Sequence, residues 1–419
     1  MTSSPAANRP DRVYVWTWLP GSTEPVVAGV LTDMGGIVSF TYGQSYLGRG
    51  DAIPLYLPEL PFGSSPIPPR AGMIAGCISD SAPDAWGMRV ILNRLVGRGA
   101  EDVDLLHPFT YLIESGSDRI GALDFQLSSD TYVPRGTGDC SLDDLQNAAM
   151  LVQAGEPLPP ELDQALLHGS SIGGARPKAG LRDGKRNLIA KFSSTGDAFP
   201  VVKGEFLAME LGRRVGLKAA KVELTSSLDK DVLLIERFDR TDVGGRRAMV
   251  SALTMLELDE NAAVWAASYA ALAEIIRQRF TDPDATLREL FARITFNILV
   301  GNNDDHARNH AAFWDGQFLT LTPAYDISPQ VRGGGETRQL MSIGEDGWRD
   351  SQVAGCAERA GIYHLSTDEA TEIVDRQIAV IRSEWDEVAE LARLSTAEKG
   401  YFWERQVLNP YALYGWPAA

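Results

Sequence analysis

The chain has 419 residues, enough for two or three domains with cores of their own. Its 44% hydrophobic and 23% charged content is that of an ordinary globular protein, and no apolar run reaches the roughly 18 residues that suggest a membrane helix. A formal net charge of −17 argues against the chain wrapping nucleic acid by itself, because a phosphate partner needs a basic surface. Cys77, Cys140 and Cys356 have neither pairing nor metal spacing, and Met1-Thr2-Ser3-Ser4-Pro5 lacks a secretion signal, so a reducing cytoplasm is expected and no membrane.

After a polar lead-in over 1–11, three runs rich in Val, Tyr, Trp and Phe predict strands: Val13–Leu19, Val26–Thr32 and Gly36–Tyr42. A proline-rich connection over 54–70 leads to a helix from Pro83 to about Val96, with Ser81 or Asp80 as its cap. Arg119–Phe125 predicts one more strand. These elements form a small N-terminal α/β domain over 1–135. A second part, 136–250, holds a short helix between Asp144 and Pro157 and a Gly-rich loop over Gly173–Gly180. It continues with a short strand ending at Lys191, a helix over Gly204–Val215 and a strand over Val232–Ile235. From 251 to 419 the pattern turns helical. Leu287, Leu290, Phe291, Ile294 and Ile298 recur at helical spacing after Asp282-Pro283, as do Val374, Ile378, Ile381, Trp385 and Val388. The expected fold class is α+β: a two-lobed, protein-kinase-like fold with a small N-terminal α/β subdomain and a mainly helical C-terminal lobe.

The helix at 287–298 runs into Gly301-Asn302-Asn303-Asp304-Asp305-His306-Ala307-Arg308-Asn309-His310. Transfer of a γ-phosphoryl group from ATP needs a carboxylate to take the acceptor hydroxyl proton and oxygen ligands for Mg2+. Asp304 supplies the first; Asn309, five residues on, and Asp326 supply the second in kinase-like order. The bland alternative is a polar loop whose side chains cap backbone donors. His306 and His310, four apart, would share a helix face as zinc ligands can. The glutamate of a metalloprotease and a third ligand are both lacking, so His306 reads as a loop brace. Upstream, Gly173, Gly174 and Ala175 offer backbone to phosphates and Lys178 meets their charge, with a surface turn as the alternative. Lys191, at the end of an apolar strand, fits a phosphate-contacting lysine paired with a helix glutamate, Glu205 first and Glu210 second. A lysine stem lying along a strand edge is the alternative. Glu236-Arg237-Phe238 stands where a kinase joins its lobes, so the backbone from Glu236 to Phe238 is the candidate adenine contact.

Several ordered stretches also carry a family pattern: Ser171-Ile172-Gly173-Gly174-Ala175-Arg176-Pro177-Lys178, Glu236-Arg237-Phe238-Asp239-Arg240, Asn303–Asn309, and Leu321-Thr322-Pro323-Ala324-Tyr325-Asp326-Ile327. With Pro83-Asp84-Ala85-Trp86-Gly87 and Asp118–Leu123 in the N-terminal half, the chain resembles the HipA family of bacterial serine/threonine kinases, many of them toxins of toxin–antitoxin pairs. The resemblance implies Asp304 as catalytic base, Asn309 and Asp326 on Mg2+, and Lys178 and Lys191 on ATP. It implies autophosphorylation of Ser171, with Ser170 as rival, as the off-switch. It also implies a protein substrate, with aminoacyl-tRNA synthetases as family precedent, and a small helix-turn-helix, HipB-like antitoxin through which DNA is met indirectly. Departures are Arg176-Pro177 in the loop, Asp305 where glycine is common and Arg308 where lysine is common; Pro177 would stiffen the loop. A small-molecule kinase with the same nucleotide site, or a non-catalytic antitoxin-binding co-repressor, are the other readings.

Overall fold

The computed structural model describes residues 10–96, 106–136, 140–159, 162, 174–194, 196–197, 199–331 and 335–417. The chain forms two compact units. One takes Met1–Gly196, Thr225–Val250 and Trp314–Gln317; the other takes Asp197–Leu224, Ser251–Phe313 and Phe318–Ala419.

In the first unit, β1 (Arg12–Thr17), β2 (Val26–Asp33) and β3 (Val38–Tyr42) form an antiparallel sheet. Val13 and Val15 are buried, alternating with exposed Arg12 and half-buried Tyr14. Helix α1 (Ala85–Val96) and the shorter α2 (Pro108–Glu114) follow. Strand β4 (Leu123–Gln126) completes the sheet in the order β3-β2-β1-β4. It starts later than the sequence pattern suggests, because Gly121 takes the left-handed φ of 77° and the Arg119 side chain turns inward to Asp124 at 2.7 Å. Helix α3 (Leu142–Gln153) begins on Ser141, whose hydroxyl accepts from Asp144 N–H while Asp144 reaches back to the Ser141 backbone.

A second sheet contains β5 (Lys178–Asp183), β6 (Arg186–Phe192), β7 (Val222–Ser227) and β8 (Lys230–Glu236), in the order β5-β6-β8-β7. The first unit takes β7 from Thr225 onward. Trp86 and Val90 of α1, with Leu145, Ala149 and Val152 of α3, pack in one apolar cluster with Ala179, Leu188, Ala190, Phe192, Val232 and Leu234 of this sheet. Helix α1 therefore supports the sheet that carries both candidate lysines.

The second unit opens with α4 (Val201–Arg214), whose Arg214 reaches Glu384 and, at 2.7 Å, Glu387. Helices α5 (Glu260–Ala266) and α6 (Tyr269–Arg279) precede the central helix α7 (Pro283–Val300). Asp282 caps α7 by accepting from Ala285 N–H, and Pro283 sits in its first turn. Every residue of α7 from Leu290 to Val300 is buried, so it is core on all sides rather than amphipathic. Strands β9 (Ala311–Trp314) and β10 (Leu319–Leu321) follow, then α8 (Thr367–Leu391) and α9 (Thr396–Phe402). Gln377 of α8 donates to the Ala292 carbonyl at 2.7 Å and accepts from Thr295 at 2.9 Å, which fixes α8 on α7. Among the described residues no helix is long and apolar enough to cross a membrane.

Candidate active site

Helix α7 stops at Gly301, whose φ is 75° and where a Cβ would lie 2.6 Å from the Gln406 carbonyl oxygen. Asn302 N–H returns to the Asn297 carbonyl at 2.8 Å and closes the helix end. Residues 302–306 then belong to no helix or strand, and one 3-10 turn covers Ala307–Asn309. Within that turn Asn309 N–H donates to His306 O at 2.8 Å, and the Asn309 amide reaches Asp304 O at 3.4 Å.

Asp304 is exposed on the loop. Its carboxyl nonetheless lies above the usual carboxylate range. Desolvation by the surrounding protein is the largest cause; His306 opposes it, and the negative charges of Asp326 and Asp305 add to it. Asp326 adopts a φ of 59°, which an aspartate tolerates better than most residues but which still costs free energy. The segment before it is pinned: Ala324 N–H donates to Lys218 O at 2.7 Å, Ala220 N–H to Ala324 O at 2.9 Å, and the Tyr325 hydroxyl to Arg308 O at 2.6 Å. The structure thus brings Asp304, Asn309 and Asp326 together.

The donors there are all oxygen, one carboxylate and one amide beside the candidate base, which suits a small hard cation. Among the described residues no cluster of three or more His, Cys, Asp or Glu gathers as a dedicated cage. A cation taking most of its ligands from phosphate and water does not need one. Asp326 and Asn309 are therefore of the donor type that Mg2+ accepts.

The two histidines flank a single 3-10 turn instead of lying on an α-helix, which corrects the spacing argument for a shared helix face. His306 precedes the 3-10 turn and braces it through its carbonyl. His310 is buried, and its Nε2 bonds Asp305 Oδ2 at 2.9 Å. The same oxygen accepts from the Tyr269 hydroxyl at 2.5 Å and the Asn297 amide at 2.7 Å. Sequence reading passed over this cluster, although the five-residue spacing of Asp305 and His310 was there to be seen.

The other candidate residues lie mostly in the first unit. Lys178 begins β5, is buried, and stands directly opposite Lys191 of β6. The register of β5 on β6 thus sets the two candidate lysines side by side in one sheet. Gly174 takes a φ of 113°, and a Cβ there would come within 1.8 Å of Lys178 Nζ, so the backbone passes close to the amine. Behind it, Trp86 N–H meets Gly174 O at 3.4 Å and the Trp86 indole donates to Lys178 O at 3.1 Å. Ala175 is exposed, and Pro177 is buried with its carbonyl accepting from Phe192 N–H at 3.0 Å. Ser170, Ser171 and Gly173 lie outside the described residues. Glu205 is buried on α4 in the second unit.

Glu236 pairs with Leu188 at the end of β8, and Phe238 is half-buried. Between and after them sits a buried ionic knot. Asp239 accepts from Arg237 Nε at 3.0 Å and Nη2 at 2.8 Å, from Arg240 at 2.8 Å and from Gly121 N–H at 2.8 Å. Asp118 accepts from Arg240 at 2.7 Å and Arg237 at 2.9 Å. Segment 118–121 therefore holds the end of β8 in place.

The HipA-like C-terminal domain family matches residues 170–385, and the HipA N-terminal domain family matches residues 22–126. The first alone spans half of the chain. The chain belongs to the HipA family. "Putative kinase Y4mE" of Sinorhizobium fredii is 26% identical over 368 residues, covering 77% of this chain and 82% of that protein. The serine/threonine-protein kinase toxin HipA of Shewanella oneidensis is 26% identical over 184 residues, 38% of this chain and 42% of that one. In solved structures, a chain of the Shewanella oneidensis toxin–antitoxin complex of HipA, HipB and operator DNA superposes with a TM-score of 0.68. It covers 93% of this chain and 95% of that one at 19% identity, which shows a shared α+β fold.

Proposed function

We propose that the chain is an ATP- and Mg2+-dependent serine/threonine protein kinase and the toxin of a HipA/HipB-like pair. The observation that carries this reading is the convergence of Asp304, Asn309 and Asp326 at the end of α7, with the Asp304 carboxyl raised by its surroundings. In this reading Asp304 orients the acceptor hydroxyl and takes its proton as the hydroxyl oxygen attacks the γ-phosphorus and ADP leaves. Asp326 and Asn309 hold the metal, which when bound neutralises charge on the phosphate oxygens. Lys178 and Lys191 contact the phosphates, the backbone of Gly173, Gly174 and Ala175 cradles them, and the Glu236–Phe238 backbone holds adenine. Glu205 takes the part of the helix glutamate in this scheme, and His306 supports Asp304. Residues 1–135, 136–250 and 251–419 are the family domain, the nucleotide part and the catalytic lobe of this scheme.

Autophosphorylation of Ser171 would add nearly two negative charges to a loop meant for phosphates, so it is the proposed off-switch. The partner is a small, basic, HipB-like antitoxin; a chain with net charge −17 would then reach DNA only through it. Expression of wild type and Asp304→Asn in cells, with and without a co-expressed HipB-like antitoxin, tests the reading. Growth arrest by wild type alone, relieved by antitoxin, supports it. Arrest that persists in Asp304→Asn contradicts it. A phosphosite outside Ser170 and Ser171 refutes the switch while leaving the kinase intact.

A further inference from the structure

Asp305 is the most enclosed acid near the loop, and no step of the proposed chemistry runs through its own carboxylate. Its side chain is 3% exposed, as is that of His310. Three donors converge on the single oxygen Oδ2: the Tyr269 hydroxyl from α6, the Asn297 amide from α7, and His310 Nε2. Asn297 is itself oriented, since its Oδ1 accepts from the Asn302 amide at 3.0 Å. Burial pushes the Asp305 carboxyl up, but His310 and the hydrogen bonds from His310 and Tyr269 outweigh it and hold the group below the usual carboxylate range.

A buried carboxylate–imidazole pair adds little stability that apolar packing could not supply, because desolvating both groups costs about as much as their attraction returns. Its directional bonds do something packing cannot. Asp305 directly follows Asp304, and His310 directly follows Asn309. The 2.9 Å bond between them therefore ties the two points from which the candidate base and the candidate metal ligand emerge. Between those points the chain has no strand or α-helix to hold its span, only the 3-10 turn at Ala307–Asn309. The Asn297 and Tyr269 bonds anchor the tie to two helices of the same unit.

We propose that Asp305 and His310 form a clasp that closes the catalytic loop and sets the distance between Asp304 and Asn309, which makes both positioning residues for phosphoryl transfer. The proposal rests on the kinase reading above. Neither residue touches substrate; each acts through its neighbour. Loss of the clasp lets Asp304 and Asn309 drift apart. The phosphate-contacting lysines lie elsewhere in the sequence, so nucleotide binding survives while turnover falls.

The test compares wild type, Asp305→Ala, His310→Ala and His310→Gln with labelled ATP, measuring kcat, KM for ATP and melting temperature. Thr295→Val serves as a control, since it removes a buried bond from α7 to Gln377 without touching the loop. The expected result is a fall in kcat of about 100-fold for both alanine variants, the scale of an ångström of misplacement. KM for ATP should stay within roughly threefold, as for loss of an interaction made only in the transition state. His310→Gln, whose amide can still donate to Oδ2, recovers much of the rate, and Thr295→Val melts lower with its kcat kept. If His310→Ala and His310→Gln fall equally, or if the alanine variants keep wild-type kcat, the clasp is only structural and the proposal fails. Should Asp305→Ala not fold, the two His310 variants decide alone. An inactive wild type instead overturns the kinase reading, and the clasp with it.

Discussion

Asp239→Asn offers a quantitative test of how segment 118–121 holds the end of β8. In the native structure the Asp239 carboxylate takes two bonds from Arg237, one from Arg240 and one from Gly121 N–H. The Arg237 side chain is fully buried. An asparagine keeps one acceptor oxygen but turns its NH2 toward a guanidinium, leaving Arg237 with Asp118 as its remaining carboxylate. Removing one member of a buried ion pair costs about 3–5 kcal/mol. In a domain-sized unit that corresponds to a fall of roughly 10 °C in melting temperature. The pH dependence has a definite sign. Burial pushes the Asp239 carboxyl up, but Arg237 and Arg240 more than reverse this and hold it at about 2, below its ordinary 3.8. A depressed carboxylate stabilises the fold above its unfolded value and loses that contribution as pH falls from about 4 to about 2. Wild type should therefore lose its advantage over Asp239→Asn across that window in urea titrations. A melting shift below about 2 °C at pH 7, or a gap between the proteins that widens on acidification, would refute the reasoning.

Gly301→Ala puts a Cβ 2.6 Å from the Gln406 carbonyl at a φ of 75°. It should cost about 1–3 kcal/mol and reduce transfer together with melting temperature. Asp326→Asn removes a charge that raises the Asp304 carboxyl. Taking that charge away should bring the Asp304 carboxyl back toward its ordinary range, read by titration, while transfer is lost. A carboxyl that stays as raised as in wild type, or transfer that persists, would contradict it. Gly174→Ala, at a φ of 113° and against Lys178 Nζ, should weaken ATP binding by about tenfold, read by calorimetry, with the second unit's melting unchanged.

The parts of the fold legible in sequence are those with local causes. Asp282-Pro283 and the apolar positions up to Ile298 mark α7, and Gly301 marks its end, because capping and φ preference act within a turn. Lys191 at the end of β6 and the strands at 12–42 were legible for the same reason. What escaped depends on partners distant in the chain. Arg119 looks like a strand residue until Asp124 draws it inward, and Arg237 and Asp239 find Arg119 O, Asp118 and Gly121 about 118 positions away. Asp305 seemed only a departure from a glycine. Its meaning comes from Tyr269, 36 residues earlier, and from His310. The pairing of Lys178 with Lys191 needed the register of β5 on β6.

The most direct measurement is phosphate incorporation from labelled ATP and Mg2+ by purified wild type and Asp304→Asn, each alone and in a cell lysate. The account predicts label on wild type and on at least one lysate protein, and neither with Asp304→Asn despite equal melting temperatures. No transfer by wild type to itself or to any lysate protein, or equal transfer by Asp304→Asn, would contradict it.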